Sequence, residues 1–381
     1  MAGIYVHFPF CSSFCIYCDF YSEIRKERMK DYKEALLREI EARKGFFHTA
    51  VTPSTLYFGG GTPSSLPPEY LACVAAAIRE TFGVRNFEEF TIEANPDDVS
   101  PEKLEAWLAM GADRLSMGVQ SFNDTHLRWM RRRHDAKEAV AAFNAAREAG
   151  FRNISIDLIF GYASLETGEW DETVRTAISL NPEHISCYQM SVEEGSALGE
   201  LARRGEYAEP PQEKCAAQYE LLQNLLAGAG YRQYEISNFA RPGFESRHNS
   251  AYWDRSPYLG LGAAAHSFDG FRTRRWNVAD MDRYISCLAS GDADGLYEGE
   301  TLSERETVEE TIMLGLRRAC GFDAGSLPEP YGKAVLDRAA VLACRNLLHL
   351  DGTCISIPAR RLFISDSIIS DLFDATSQKI D

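Results

Sequence analysis

The sequence has a deficit of positive charge and lacks any long hydrophobic run. It contains 40 Lys and Arg residues against 56 Asp and Glu residues, which gives a formal net charge of -16. Because recognition of a phosphate backbone requires a basic surface, this deficit argues against nucleic acid as a partner. A membrane helix requires about 18 consecutive apolar residues, and the sequence has no such run, so no membrane span is expected.

The sequence also lacks a framework of paired cysteines. Seven of its ten cysteines are scattered singly, and we expect them to be reduced and mostly buried: Cys73, Cys187, Cys215, Cys287, Cys320, Cys344 and Cys354. The opening residues Met1 to Ile4 have neither the basic segment nor the apolar core of a secretion signal. We therefore expect a cytoplasmic location, where thiols stay reduced and disulfides are rare.

The other three cysteines, Cys11, Cys15 and Cys18, lie together within eight residues. Zinc usually requires a closed set of four ligands, often two C-x2-C pairs, and no second pair follows, so zinc is the weaker alternative. Three thiolates on one loop can instead each bind one iron of a 4Fe-4S cluster and leave the fourth iron open. The spacing C-x3-C-x2-C resembles the signature of radical S-adenosylmethionine (SAM) proteins, which implies that SAM occupies the open iron.

Short β-rich segments alternate with amphipathic helical segments over the first half of the chain. The candidate strands are residues 4–7, 55–58, 89–93, 114–118, 154–160 and 184–190. Repeated β-then-α units imply right-handed crossovers and a parallel sheet, so we predict an α/β fold with a partial (β/α)6 barrel.

The second half of the chain predicts a different organisation. Helices expected at 302–319, 333–348 and 364–373 and a strand at 354–357 resemble a winged-helix module of α+β type. Acidic residues outnumber basic ones in this tail, which argues against DNA binding. We predict a barrel domain at 1–200, a barrel-closing extension at 201–295 and a winged-helix-like domain at 296–381.

Polar candidates lie where the predicted parallel strands end, which is where ligands collect in such barrels. The glycine run 59–61 lets the backbone approach an anionic ligand closely. Glu93 and Asp157 are acids in buried strands, so each needs a partner, either a ligand hydroxyl or ammonium group or a salt bridge within the barrel. Tyr17 either stacks on adenine or covers the cluster as an apolar lid.

Several motifs together are similar to the radical SAM family of oxygen-independent coproporphyrinogen III oxidases and their close relatives, the HemW heme chaperones. They are residues 5–7, 11–18, 59–63, 116–122, 156–159 and 260–262. The resemblance implies that Cys11, Cys15 and Cys18 ligate a 4Fe-4S cluster. It implies that SAM on the cluster is bound by Tyr5, Gly60 and Glu93. The residues that match a second SAM position in the oxidases are Tyr17, Gly61, Thr62, Gln120, Arg132, Asp157 and Ser191.

Two differences from the oxidases favour the chaperone branch. Phe20 stands where the oxidases have a further cysteine, and the chain begins four residues before Tyr5, whereas the oxidases carry a long extension there. The run 248–253 matches an H-N-x-x-Y-W motif that is linked to heme in that branch, which makes His248 a candidate axial ligand; the alternative is an ordinary loop histidine. His266 falls where the oxidases have an apolar SAM contact, so we expect it to face the same cavity.

The resemblance implies a heme chaperone that binds heme, a 4Fe-4S cluster and SAM. Such a protein needs an electron donor for the cluster and a heme-acceptor protein, and a membrane-associated acceptor is compatible with the sequence. The alternative is an oxygen-independent coproporphyrinogen III oxidase, in which a 5'-deoxyadenosyl radical takes a propionate hydrogen and carbon dioxide is released. A radical SAM enzyme with an unrelated substrate is a third possibility, because a fold does not fix a function.

Overall fold

In a computed structural model, the structure describes residues 1–47, 51–292 and 295–377. The described residues contain a sheet of twelve strands. Its centre consists of β1 (Gly3–Phe8), β2 (Thr55–Gly60), β3 (Glu89–Ala94), β4 (Arg114–Gln120), β5 (Asn153–Phe160) and β6 (His184–Gln189). These six strands pair in chain order and in parallel, which confirms the predicted α/β class and the partial barrel.

Helices connect the parallel strands and cover their outer face. They are α1 (Met29–Ala42), α2 (Pro68–Phe82), α3 (Pro101–Ala109), α4 (Asp124–Trp129), α5 (Ala136–Ala149) and α6 (Thr167–Leu180), and after β6 come α7 (Ala197–Arg203) and α8 (Gln212–Gly228). α3 begins at Pro101, and the side chain of Ser100 caps it by accepting the Lys103 N–H. α5 begins with a capping box formed by Asp135 and Glu138.

Side chains alternate between the two faces of the central strands. Ile4, Phe58 and Ile156 belong to the face that packs against the helices, and they are fully buried in a continuous apolar core. The strand register places the intervening residues on the opposite, concave face, which is largely polar and includes Tyr57, Glu93, Ser116, Asp157 and Ser186. The inside of this barrel is therefore suited to a polar ligand rather than to a packed core.

Strands between residues 232 and 301 extend the sheet at both edges. Next to β6 lie β7 (Arg232–Gln233) and β8 (Asn238–Ala240), and β8 is antiparallel to β6. Next to β1 lies β9 (Tyr258–Leu261), which is parallel to β1, followed by β10 (His266–Phe268), β11 (Thr273–Asn277) and β12 (Tyr297–Thr301) in antiparallel order. Two further helices lie between these strands: α9 (Arg247–Trp253), which carries the H-N-x-x-Y-W motif, and α10 (Met281–Ser290), which packs on α1. The division into three domains stays a prediction.

The tail contains three helices and a small antiparallel sheet, as predicted for a winged-helix-like module. The helices are α11 (Glu304–Leu316), α12 (Tyr331–Cys344) and α13 (Ser365–Ser377). The strands are β13 (Phe322–Asp323), β14 (His349–Asp351) and β15 (Cys354–Ser356), with β15 in the middle. Across the described ranges, no helix is both long enough and apolar enough to cross a membrane.

Candidate functional site

The carboxyl ends of the central strands surround a cavity of about 490 Å³. Twelve of the fifteen predicted site residues line it. They are Cys11, Cys15, Tyr17, Cys18, Gly60, Gly61, Thr62, Glu93, Gln120, Arg132, Asp157 and Ser191. Residues from four strands and from several loops thus meet in one place, as ligand-binding residues do at this end of parallel barrels. Their individual roles stay predictions.

The three clustered cysteines lie on the loop after β1. The Cys11 N–H donates to the Glu23 carbonyl at 2.9 Å, and the Ile16 N–H donates to the Met130 carbonyl at 3.2 Å, which anchors the loop at two points. All three cysteines are free thiols of intermediate exposure. Polar groups lie beside two of the sulfurs: Arg132 Nη1 donates to Cys15 Sγ at 3.3 Å, and Thr62 Oγ1 is 3.5 Å from Cys11 Sγ.

The residue types of these three cysteines suit an iron-sulfur cluster. Burial raises the pKa of the Cys11 thiol, and raises the pKa of the Cys18 thiol to about 11, so thiolates here require a bound cation. Within the described ranges, no three His, Cys, Asp or Glu side chains converge as a single-ion site would require. Thiolates that each bind a different iron of a cluster do not need that convergence.

The glycine run at the end of β2 brings the backbone against Glu93. Gly60 has φ of 106°, and a Cβ on it would lie 2.6 Å from the His7 ring, so only glycine fits there. The Gly60 N–H donates to Glu93 Oε2 at 3.2 Å, and the Tyr57 hydroxyl donates to Glu93 Oε1 at 2.8 Å. Burial, together with the charge of the nearby Asp157, raises the pKa of Glu93 to about 7. Glu93 can therefore change its charge near neutral pH.

Asp157 faces the same cavity from β5. Its carboxylate accepts from Ser116 Oγ at 3.2 Å and from Ser155 Oγ at 3.3 Å. Burial raises its pKa, although these hydroxyls and the charge of Arg114 act in the opposite direction. The hydrogen-bond partners of Glu93 and Asp157 are neutral hydroxyl and backbone groups, rather than the basic side chain of the salt-bridge alternative. Both carboxylates are therefore suited to a ligand that carries hydroxyl or positively charged groups.

Of the three arginines 131–133, Arg132 contacts both the cysteine loop and the end of β4. Its Nη2 donates to the Gly118 carbonyl at 2.7 Å, whereas Arg133 forms an ion pair with Asp97 at 2.6 Å. Next to it, Gln120 has φ of 68°, at a shift of register between β4 and β5. A positive φ is costly for a residue with a side chain, and such strain is typical of functional sites.

His248 lies at the opposite end of the barrel from the cysteines and does not line the cavity. Its Nδ1 is 2.8 Å from Thr55 Oγ1, and its Nε2 is 2.9 Å from the Tyr252 hydroxyl. It is 2% exposed, and burial lowers its pKa to about 3, so the ring is neutral. Both ring nitrogens thus contact hydroxyl groups, and His248 lies in the helix α9 rather than in a loop. Its role as a heme ligand stays a prediction.

The expectation that His266 faces the same cavity requires a correction. His266 lies on β10, two strands beyond β1 in the sheet, where it is exposed and stacks on Trp276 with ring centroids 5.6 Å apart. The extra strands of the sheet therefore hold it away from the cluster loop. Tyr5 is also outside the cavity lining: it packs on Tyr57, with ring centroids 6.0 Å apart, and its hydroxyl is 3.2 Å from His7 Nδ1.

Sequence reasoning missed several polar residues that line the cavity. They are Tyr57, Asn95, Ser116, Ser186 and Asn249. Tyr57, Ser116 and Ser186 interrupt apolar strands at every second position, and this alternation was the signal that could have identified them. Asn249 was not predicted as a cavity residue because it belongs to the motif that was interpreted as a heme site.

The parallel partial barrel and the three-cysteine loop after its first strand define a radical SAM protein. Residues 5–177 match the sequence model of the radical SAM superfamily. The structure is similar to that of coproporphyrinogen III oxidase (HemN) from Escherichia coli, described as a radical SAM enzyme. The TM-score is 0.82 at 24% identity, over 100% of this chain and 90% of that chain. At this identity the likeness shows the fold alone.

Curated relatives narrow the family further. The chain is 38% identical to the heme chaperone HemW of Bacillus subtilis over 340 residues, which cover 88% of both chains. It is 34% identical to the heme chaperone HemW of Mycobacterium tuberculosis over 374 residues, which cover 97% of this chain and 94% of that one. It is 35% identical to the mitochondrial radical S-adenosyl methionine domain-containing protein 1 of Bos taurus, over 84% of this chain and 74% of that one. The chain belongs to the HemW family.

Proposed function

We propose that this chain is a heme chaperone that holds a 4Fe-4S cluster and SAM in its barrel cavity, binds heme, and passes heme to an acceptor protein. The observation that carries the proposal is that relatives named heme chaperones match the chain over most of its length. The cavity agrees with the cofactors, because it brings Cys11, Cys15 and Cys18 together with carboxylates and an arginine.

Each residue type in the cavity suits one part of this proposal. The three thiolates would bind three irons, and a cluster held in this way supplies an open iron for SAM and an electron. Arg132 donates to Cys15 Sγ and would stabilise the negative charge of the bound cluster. Glu93 and Asp157 provide hydrogen-bond acceptors, or negative charge when ionised, for the hydroxyl and positively charged groups of SAM. No residue is assigned a step of covalent chemistry.

His248 can bind heme iron only if one contact in this structure is broken. The Nε2 atom becomes available to iron only when its contact with the Tyr252 hydroxyl is broken, because the ring is buried and Nδ1 is held by Thr55. We propose that heme binding by this motif involves such a rearrangement, in which the Tyr252 side chain moves away from His248. The rearrangement would give a reversible ligand, which suits a protein that must release heme.

The cellular setting belongs to the same proposal. All ten cysteines are free, which supports a reducing compartment such as the cytoplasm. We propose that an electron donor reduces the cluster and that a separate acceptor protein receives heme.

The decisive experiment compares heme transfer with oxidase turnover. Protein reconstituted with iron and sulfide under anaerobic conditions is offered either heme, followed by apomyoglobin, or coproporphyrinogen III with SAM and a reductant. We expect stable heme binding that the absorption spectrum records, transfer of that heme to apomyoglobin, and no vinyl products. Vinyl products and carbon dioxide over several turnovers would overturn the chaperone proposal and support the oxidase alternative.

A further inference from the structure

The helix α9 contributes Asn249 to the cavity lining. Heme binding by the H-N-x-x-Y-W motif gives this residue no role. The helix enters the barrel at the amino ends of the strands, where Glu89 and Thr55 contact it. Its residue Asn249 nevertheless lines the same cavity as Ser116, Asp157 and Ser186. Asn249 therefore lines the cavity from the side of the amino ends of the strands. We call the surface formed by these four residues the cavity floor.

The backbone of Asn249 is held firmly in place. The Glu89 carboxylate accepts the N–H groups of Arg247 at 2.8 Å and of His248 at 2.9 Å. The Asn249 N–H donates to Ser246 Oγ at 3.3 Å, which caps the helix. His248 is fixed from both ring nitrogens, as described above. Hydrogen bonds to the buried Glu89 carboxylate and to Ser246 thus fix the backbone at the start of α9.

The side-chain amide of Asn249 is available for a ligand. Among the described residues, the hydrogen bond of Asn249 involves its backbone N–H and not its side chain. A primary amide has two donors and one acceptor, and an amide that faces a concave polar site favours a ligand that can use them. The floor also contains the Asp157 carboxylate and two serine hydroxyls, so it is suited to a group that both donates and accepts hydrogen bonds.

We infer that Asn249 is a SAM-binding residue of the cavity floor, and that the H-N-x-x-Y-W motif serves SAM binding through it. A second contact connects the same helix to the cavity, because His248 stacks on Tyr57 and the Tyr57 hydroxyl donates to Glu93 at 2.8 Å. α9 thus supplies one ligand contact directly and positions a second one. The inference rests on the SAM binding proposed above and is independent of heme.

The test measures SAM affinity of the anaerobically reconstituted full chain by equilibrium dialysis. Asn249→Ala removes the amide, and Ser250→Ala, on the same helix but outside the cavity lining, is the matched control. We expect Asn249→Ala to bind SAM about tenfold more weakly, with unchanged iron and sulfide content, and Ser250→Ala to stay within about twofold of the parent. Normal SAM affinity of Asn249→Ala would overturn the inference, whereas a parent that binds no SAM would refute the proposed cofactor instead.

A second measurement uses the unmodified protein and is decisive even if Asn249→Ala does not fold. Hydrogen exchange of the peptide that covers residues 247–253 is compared with and without SAM. We expect SAM to slow exchange there, because a ligand on Asn249 stabilises α9 against local opening. Exchange that SAM leaves unchanged in this peptide, while it slows in the loop 11–18, would overturn the inference.

Discussion

His248 stacks on Tyr57, with ring centroids 5.0 Å apart and an interplanar angle of 28°. Tyr57 in turn holds the Glu93 carboxylate in the cavity by a hydrogen bond of 2.8 Å. A motif that sequence similarity links to heme is therefore connected, through one aromatic side chain, to a residue predicted to bind SAM. This contact gives the two ends of the barrel a physical means of influencing each other.

The charge of Glu93 predicts a pH dependence of SAM binding. Its pKa is raised by burial to about 7, so the carboxylate loses its negative charge as the pH falls through neutrality. We expect SAM affinity to weaken by up to about tenfold for each pH unit below that pKa and to level off above it. Equilibrium dialysis between about pH 6 and about pH 8 checks this. The Glu93→Gln variant, which has no such charge, should bind weakly and without pH dependence; a parent with a flat profile would contradict the assignment.

Removal of the Tyr57 hydroxyl should shift the pH profile of SAM binding to higher pH. Tyr57→Phe keeps the ring that stacks on His248 but deletes a hydrogen bond that lowers the pKa of Glu93. We expect the midpoint of SAM binding to move to higher pH, and the affinity at neutral pH to fall several-fold. Tyr70→Phe is the matched control, because the buried Tyr70 hydroxyl has no hydrogen-bond partner among the described residues. If Tyr57→Phe leaves the pH midpoint of SAM binding unchanged, the Tyr57 hydroxyl does not influence SAM binding.

Loss of one loop cysteine predicts loss of the cluster. Cys15→Ser leaves two thiolates, and we expect iron and sulfide per chain to fall to a small fraction of the parent value after anaerobic reconstitution. Cys73→Ser, in an exposed position on α2, should retain both. Chemical analysis of iron and inorganic sulfide provides the measurement. A variant without Cys15 that still holds four irons would show that other ligands carry the cluster.

Substitution of His248 should affect both heme binding and stability in acid. His248→Ala is expected to weaken heme binding and leave the iron content of the cluster unchanged. His134→Ala removes another buried histidine outside the motif and should leave the heme spectrum unchanged. Heme spectra of His248→Ala identical to those of the parent would show that the ligand assignment is wrong.

The acid dependence follows from the pKa of His248, which burial lowers to about 3 in the folded chain from 6.5. The unfolded chain therefore takes up a proton below about pH 6.5 that the folded chain does not, so stability falls as the pH falls. This contribution should approach about 1.4 kcal/mol per pH unit and disappear in His248→Gln. Thermal unfolding at several pH values measures this contribution. If stability falls with pH equally in the parent and in His248→Gln, His248 is not buried and neutral in the folded chain.

The central strands were predictable because each one is a short apolar run bounded by turn residues. All six appear within about two residues of the predicted bounds. The cluster loop was predictable because its cysteine spacing is local in sequence. Residues such as Gly60 and Glu93 followed from the rule that parallel strands end at one rim.

Other features depend on contacts that are distant in sequence. β9 and β10 are strands of four and three residues, and nothing local indicates that they extend the sheet beyond β1 and hold His266 outside the cavity. His248 lies in the barrel because Glu89 captures the start of α9, a contact across more than 150 positions. A motif indicates that such residues matter, but not which end of the barrel they occupy.

The central claim is that three thiolates hold a cluster whose fourth iron is open to SAM. Electron paramagnetic resonance of the reduced, reconstituted protein tests it most directly, with SAM added to one of two identical samples. The account predicts the signal of a reduced 4Fe-4S cluster and a change of that signal when SAM is present. A cluster signal that SAM leaves unaltered, or a protein that assembles no cluster, would contradict the account.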